Sequence, residues 1–321
     1  MTKALTTEVV ENGLLSFVPC QLTQGKKIII NVLMTVPDPK QLPHLLKLLD
    51  DDSPVVQETI VKELLAFGPS LQRELARLKI TLSKDQQQLI TRLLDEHNQK
   101  WLRDLWPTLR DIEDDKEMLE SALGWIAEFQ HGRAYPGKLT ELLDKLSEEF
   151  ESANRKQDAL TLAHFLFTKK QRRGTEADYY NPLNSNLVYV IEQKRGIPIS
   201  LAAIYILVAA RLGFDVEGIN LPGHFLARAS VGKQNYIVDC FKGGRCLDVN
   251  DLITLNNGAL LPLSDLLQLE CDATAIVART LRNLVHAYEQ EQSTSNASFM
   301  KELLVMVEEE GPDPEGNEEE E

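Results

Sequence analysis

Two residues, His224 in "PGHFLAR" (222–228) and Asp239 in "VDCF" (238–241), are the types that build a proton relay. An imidazole takes up a proton near neutral pH, and a carboxylate beside it fixes its tautomer. Such a pair works on a nucleophile held at a helix N-terminus, where the dipole and free N–H groups favour a thiolate and a developing oxyanion. The result would be hydrolase or acyl-transfer chemistry. The helix that would supply the nucleophile opens in "RGIPISLAAIYILVAARLG" (195–213), and its first residue is Pro198. Proline carries no nucleophile and removes one N–H from the would-be oxyanion site.

Three other side chains nearby carry oxygen or sulfur. Ser200 lies two residues into the helix, a rotation of about 200° from its start, so it reads as a capping or back-bonded serine. Cys240 adjoins Asp239, and strand neighbours point to opposite faces, so it reads as a small buried hydrophobe. Cys246 follows Gly243-Gly244 and has no required geometry behind it. His224, Asp239 and Cys246 would suffice in number for a metal, but no C-x-x-C or H-x-x-x-H spacing supports one. No Gly-rich loop suggests a nucleotide. No metal and no cofactor are expected. The remaining histidines (His44, His97, His131, His164, His286) are scattered through helical patterns and read as surface or core residues.

The elements that must position the pair follow from periodicity. The chain has 321 residues, 43% hydrophobic and 26% charged, an ordinary globular balance. Its net charge of −15 is concentrated in the acidic end, because Glu308 to Glu321 hold nine carboxylates and no base. Without them about −6 remains, a common solubility charge. No basic run offers a cationic face to phosphates, so direct nucleic-acid binding is not expected. The apolar stretch from Ile197 to Leu212 is too short and too interrupted to span a bilayer. Four cysteines (Cys20, Cys240, Cys246, Cys271) make no disulfide framework, and no signal peptide opens the chain, which together predict a cytoplasmic protein.

Residues 1–33 are poorly patterned, with one possible short strand in "KKIIINVLM", and Met34 is a candidate natural start. Residues 34–171 read as helical. Leu42, Leu45 and Leu49 share a face, as do Val56, Ile60, Leu64 and Phe67, and then Leu71, Leu75 and Leu78. Ser53-Pro54 can start the second of these helices, and Gly68-Pro69 can separate it from the third. The group looks like a HEAT-like hairpin that must stack on its successors. Helices are predicted at 84–99, 113–131, 138–150 and 155–171, with Trp101, Trp106 and Trp125 as core residues among them.

The core, 172–270, changes period. "RRGTEADYYNPLNSN" (172–186) is turn-rich, and its Asn181 and Asn184 either bond their own backbone or line a binding site. A helix to Lys194 and the apolar helix from Pro198 to Leu212 follow. Then "DVEGINL", "HFLARAS" and "QNYIVDCF" alternate like strands, separated by Pro222-Gly223 and Gly232. Turns so short allow only an antiparallel sheet. A two-strand hairpin would set His224 beside Asp239, with Gly223 in the turn as a further binding candidate. "GGRCLDVNDLITL" reads as helix with Asp248 as a possible N-cap. Residues 271–309 form a closing, TPR-like helical hairpin (about 273–290 and 297–309), and 310–321 are an acidic tail with nothing to bury. The fold class predicted is α+β.

The stretch "NPLNSNLVYVIEQKRGIPISLAAIYILVAARLGFDVEGINLPGHFLARA…VDCFKGGRCL" resembles the SirB1 family, whose central domain belongs to the transglutaminase-like superfamily. The resemblance extends more weakly over almost everything after Met34. It implies a bacterial protein with a papain-like core flanked by helical repeats. In active members of that superfamily a Gly-x-Cys opens the helix, and Cys, His and Asp form a triad. Gly196 matches the Gly, Pro198 falls at the Cys, His224 at the His and Asp239 at the Asp. Cys240 departs from the family's own Asp-Pro-Phe. The expectation is a non-catalytic module that binds a protein or peptide. The alternative is a hydrolase or acyltransferase that uses His224 and Asp239 with Ser200, Cys240 or Cys246.

Overall fold

The computed structural model describes residues 38–308, apart from 50, 52, 68–69, 133–134, 136, 177, 222 and 248–269. The expected strand near residue 30, Met34, Cys20, the Gly68-Pro69 break, the helix after Asp248 and the acidic tail all lie outside the described residues.

The described residues open with a 3-10 turn, Pro39–Gln41, and then four helices: α1 (Leu42–Lys47), α2 (Pro54–Phe67), α3 (Ser70–Arg77) and α4 (Lys84–Leu105). Leu42, Ile60, Leu64, Phe67, Leu75 and Ile90 meet in a core of their own. A capping box between Ser83 and Gln86 starts α4. This helix runs six residues past the expected end at 99 and stops where Pro107 would clash with the preceding turn. A 3-10 turn, Trp106–Asp111, takes over. Trp106 is buried there, while Trp101 and Trp125 pack partly buried against the main core.

Helices α5 (Asp115–His131) and α6 (Leu139–Ala153) follow. The single helix expected over 155–171 is instead a short α7 (Ala159–Ala163) that widens into a π-helix, His164–Lys169. Phe165, Leu166 and Phe167 are all buried there. Three consecutive residues cannot share one face at α-helical spacing, and the wider turn brings them closer to doing so.

The turn-rich segment after it holds a feature the periodicity did not show. Arg173–Gly174 (β1) pairs in parallel with Arg195–Gly196 (β2), a two-residue ladder just before the apolar helix. Between the two strands come a 3-10 turn, Pro182–Ser185, and α8 (Leu187–Gln193). Asn186 caps α8, and Lys194 ends it in the left-handed region.

Helix α9 (Pro198–Arg211) is the centre of the molecule, with every residue from Pro198 to Ala209 buried. A helix apolar on all sides must be walled on all sides. Its last residue, Arg211, reaches out to Glu120 of α5 and Asp144 of α6 at 2.7 and 2.6 Å.

The sheet comprises β3 (Val216–Leu221), β4 (His224–Val231), β5 (Gln234–Asp239), β6 (Arg245–Cys246) and β7 (Glu270–Cys271). Its order is β6-β5-β4-β3-β7, antiparallel at every pairing. Cys246 is thus in a strand, opposite Val238, and not in an open loop. Strand β7 crosses the boundary drawn at 270. The closing pair is α10 (Ala273–Gln290) and α11 (Thr294–Glu308). Arg103 of α4 ties α11 to the body through a two-pronged contact with Glu302. Among the described residues, no helix is long and apolar enough to cross a membrane.

The sheet has two distinct faces. Phe225, Ala227, Ala229 and Val238 join the main core with α9. Alternation turns His224, Leu226, Ile237 and Asp239 to the other side, where Ile219, Leu221, Leu226 and Ile237 form a small satellite cluster.

Candidate functional site

Topology brings the His–Asp pair to one end of the sheet. A short turn after α9 sends β3 back toward the start of that helix, so the beginning of β4 and the end of β5 lie at the same end. There His224 Nε2 stands 3.0 Å from Asp239 Oδ2. The carboxylate accepts the Nε2 proton, leaving Nδ1 as the basic nitrogen. The other oxygen, Asp239 Oδ1, accepts the Lys242 amide at 3.0 Å, and the Asp239 carbonyl accepts the Gly244 amide at 2.9 Å. Gly243 and Gly244 allow this tight turn, with φ of 80° and 73°. The acid is therefore fixed before it meets the imidazole. Its side chain is only 2% exposed, and that of His224 is 14%.

A chain of short contacts connects this pair to the start of α9. The Phe241 ring stands edge-on to the imidazole, centroids 6.2 Å apart. The Gly174 amide donates to the Phe241 carbonyl at 3.1 Å, and the Thr175 amide to the Gly196 carbonyl at 3.1 Å. Gly174 has no room for a side chain, because a Cβ there would lie 2.3 Å from the Phe241 ring. Two residues beyond Gly196 comes Pro198, buried at the first position of α9.

The three candidate nucleophiles stand in different surroundings. Ser200 neither caps α9 nor bonds back along it. Its Oγ donates to the Asn184 carbonyl at 2.6 Å in a buried contact, because its side of α9 packs on the 182–185 turn. Cys240 is wholly buried, and burial, with the Asp239 charge second, pushes its thiol well above the ordinary range. Cys246 is exposed on β6, its thiol pushed up by partial burial. Among the described residues no three His, Cys, Asp or Glu side chains cluster as metal ligands.

Asn181 and Asn184 serve local structure. Asn181 Oδ1 accepts the Leu183 amide at 2.9 Å, and Asn184 Nδ2 donates to the carbonyls of Asp178 and Tyr179. Gly223 is an exposed turn residue with φ of 74°. Asn181 does more than hold its turn. With Tyr179, Tyr180, Ser185 and Ile197 it lines a pocket of about 40 Å³, closed on the far side by Asn283 and His286 of α10. Sequence reasoning missed this pocket. The available signal was the adjacent pair Tyr179-Tyr180 in a turn, two large rings with no helix or strand to bury them.

Comparison with known proteins adds a family to this geometry. Residues 133–282 match the Transglutaminase-like superfamily. A UPF0162 protein of Xylella fastidiosa (strain 9a5c) is 31% identical over 219 residues, 63% of this chain and 76% of the relative. A second, from Xylella fastidiosa (strain Temecula1), is 35% identical over 157 residues, 46% of this chain and 54% of the relative. F-box only protein 21 of Mus musculus is 36% identical over 93 residues, 29% of this chain but only 14% of that protein. No solved structure matches the chain. With a transglutaminase-like region spanning its sheet and central helix, the chain belongs to the UPF0162 family.

Proposed function

We propose that this protein is a non-catalytic transglutaminase-like module that binds a protein or peptide. The observation that carries the reading is the pairing of an intact, ordered His224–Asp239 with a buried proline at the helix start. By the resemblance to the SirB1 family, that is the position where active superfamily members hold the attacking cysteine. Pro198 cannot attack a carbonyl, and it supplies no N–H to an oxyanion. What remains is an imidazole held in one tautomer with nothing at the expected place to activate. The bond has a structural use, since it satisfies a buried carboxylate. The 93-residue stretch shared with the much longer F-box only protein 21 fits a portable module, because so small a part recurs in so different a whole.

The alternative enzyme needs Ser200, Cys240 or Cys246. Ser200 already gives its proton to a carbonyl, and Cys240 is sealed and disfavoured as thiolate. Cys246 is reachable, but it stands opposite Val238, on the α9 side of the alternation, away from Asp239. The test incubates the full chain with a glutamine peptide and a fluorescent amine, and separately with an activated ester. Neither crosslinking nor hydrolysis above background is expected. Turnover above background that His224→Ala abolishes, measured at a temperature where the variant is still folded, would overturn the proposal.

A further inference from the structure

We infer that the pocket between the 178–185 turn and α10 takes a proline ring of a partner polypeptide in the polyproline II conformation. This deepens the peptide-binding reading and rests on it.

The lining selects a small, neutral guest. A volume of about 40 Å³ holds one side-chain group, whereas small-molecule sites run to several hundred Å³. None of the described residues that line it is Asp, Glu, Lys or Arg. Charges of both signs stand just outside: Arg279 acts on the Tyr179 phenol, and Asp178 accepts the Asn181 amide at 2.7 Å. Opposite in sign, they favour neither an acid nor a base.

The walls select a ring that is already rigid. Tyr179 and Tyr180 are 39% and 52% exposed, and they are held by their neighbours. The two rings meet edge to face at 5.4 Å, and Tyr180 meets His286 the same way at 4.9 Å. Exposed rings so fixed lose little entropy when a partner covers them. A pyrrolidine ring fits such a slot in size, carries no charge and packs its C–H groups on aromatic faces. A Leu or Val would fill similar space but would first have to give up backbone and rotamer freedom. A polyproline II segment is extended beforehand and leaves its carbonyls without internal hydrogen bonds. The lining holds the donor types to meet them, tyrosine hydroxyls and the Asn283 amide.

The position of the pocket suits the proposed module. Ile197 belongs to its lining and immediately precedes Pro198. A polypeptide seated there passes the helix start where, by the resemblance, active members of the superfamily hold their cysteine. Here the same approach ends in docking, because Pro198 cannot attack it.

The experiment measures fluorescein-labelled decaproline against the full chain by fluorescence anisotropy, with a decamer of alternating Gly and Ser as control. Saturable binding is expected for decaproline alone. Tyr180→Ala should weaken it about tenfold, the loss usual for an aromatic contact at the centre of an interface. His286→Ala should weaken it as well, and the two losses should not add, since both remove one wall. Both side chains are exposed, so neither variant should change the unfolding temperature. Decaproline that fails to bind, or binds equally well to both variants, would overturn the proline pocket. A displayed library of random dodecapeptides then separates the two readings. Recovery of any binder leaves a peptide-binding protein without this pocket, and recovery of none overturns both.

Discussion

The contact between Gly174 and Phe241 ties the His–Asp pair to the start of α9, and it can be tested by a double-mutant cycle. An alanine Cβ at 174 would sit 2.3–2.5 Å from three carbons of the Phe241 ring, far inside contact distance. Gly174 does not use positive φ, so alanine brings steric overlap and little backbone strain. The ring cannot simply swing aside, because His224 stands on its edge and the Phe241 carbonyl holds the Gly174 amide. Overpacking of this kind costs about 1–3 kcal/mol. Phe241→Ala alone removes a partly buried ring and should cost ~2 kcal/mol, less than for a fully buried one. In the double variant the overlap has vanished, so the total should fall near that of Phe241→Ala alone, a coupling of about 1–3 kcal/mol. Urea unfolding measures all four proteins, and the single Gly174→Ala should also lose several degrees of melting temperature, at roughly 2–4 °C per kcal/mol. Strictly additive losses would refute the contact as the connecting element.

His224→Ala should lower stability by ~1–3 kcal/mol, because it leaves the buried Asp239 carboxylate short of a donor; urea unfolding reads this directly. Of the described cysteines, Cys246 should react with iodoacetamide in the folded chain and Cys240 only after unfolding, with mass spectrometry of peptides as the check. Burial against Tyr135 holds the His131 pKa below the usual 6.5, so the folded chain keeps this ring neutral where the unfolded chain protonates it. Stability present above pH 6.5 should therefore decline as pH falls from 6.5 toward the lower folded value, and His131→Phe should flatten that slope in unfolding series at pH 5.5 to 7.5. Arg103→Ala should cost about 0.5–1 kcal/mol, a modest figure because both partners of its ion pair are about 40% exposed.

Much of this was legible in the sequence because periodicity is local. The unbroken apolar run of α9 and the alternation of β3 to β5 state their own types, and a hairpin through Gly232 forces His224 toward Asp239. Other features had no such signature. Strands β1 and β2 are two residues each, too short to carry a period, and their pairing depends on chain segments that only the folded core brings together. The π-helix hides because three adjacent apolar residues read equally well as a helix or a strand. Ser200 found its acceptor on a different element, and a rule about local capping cannot see that. The pocket was hardest of all: Tyr180 and His286 are distant in the chain, and neither is unusual until they meet.

The walls of α9 bear on where this protein can be cut. The helix is enclosed by α5, α6, α7 and α8 from earlier in the chain, by β3 and β4, and by α10 from later. The superfamily match begins at 133, after α5 has ended, and stops at 282, inside α10. A fragment trimmed to those limits would lose one wall entirely and half of another, leaving apolar flanks of the central helix open to water. Such a piece should aggregate on expression, whereas one running from Asp114 through Glu308 keeps both walls and the Asp114 cap of α5. The borders of kinship and the borders of the folding unit differ in this chain, because the most conspicuous helix takes part of its shelter from α5 and the end of α10, outside the recognised domain.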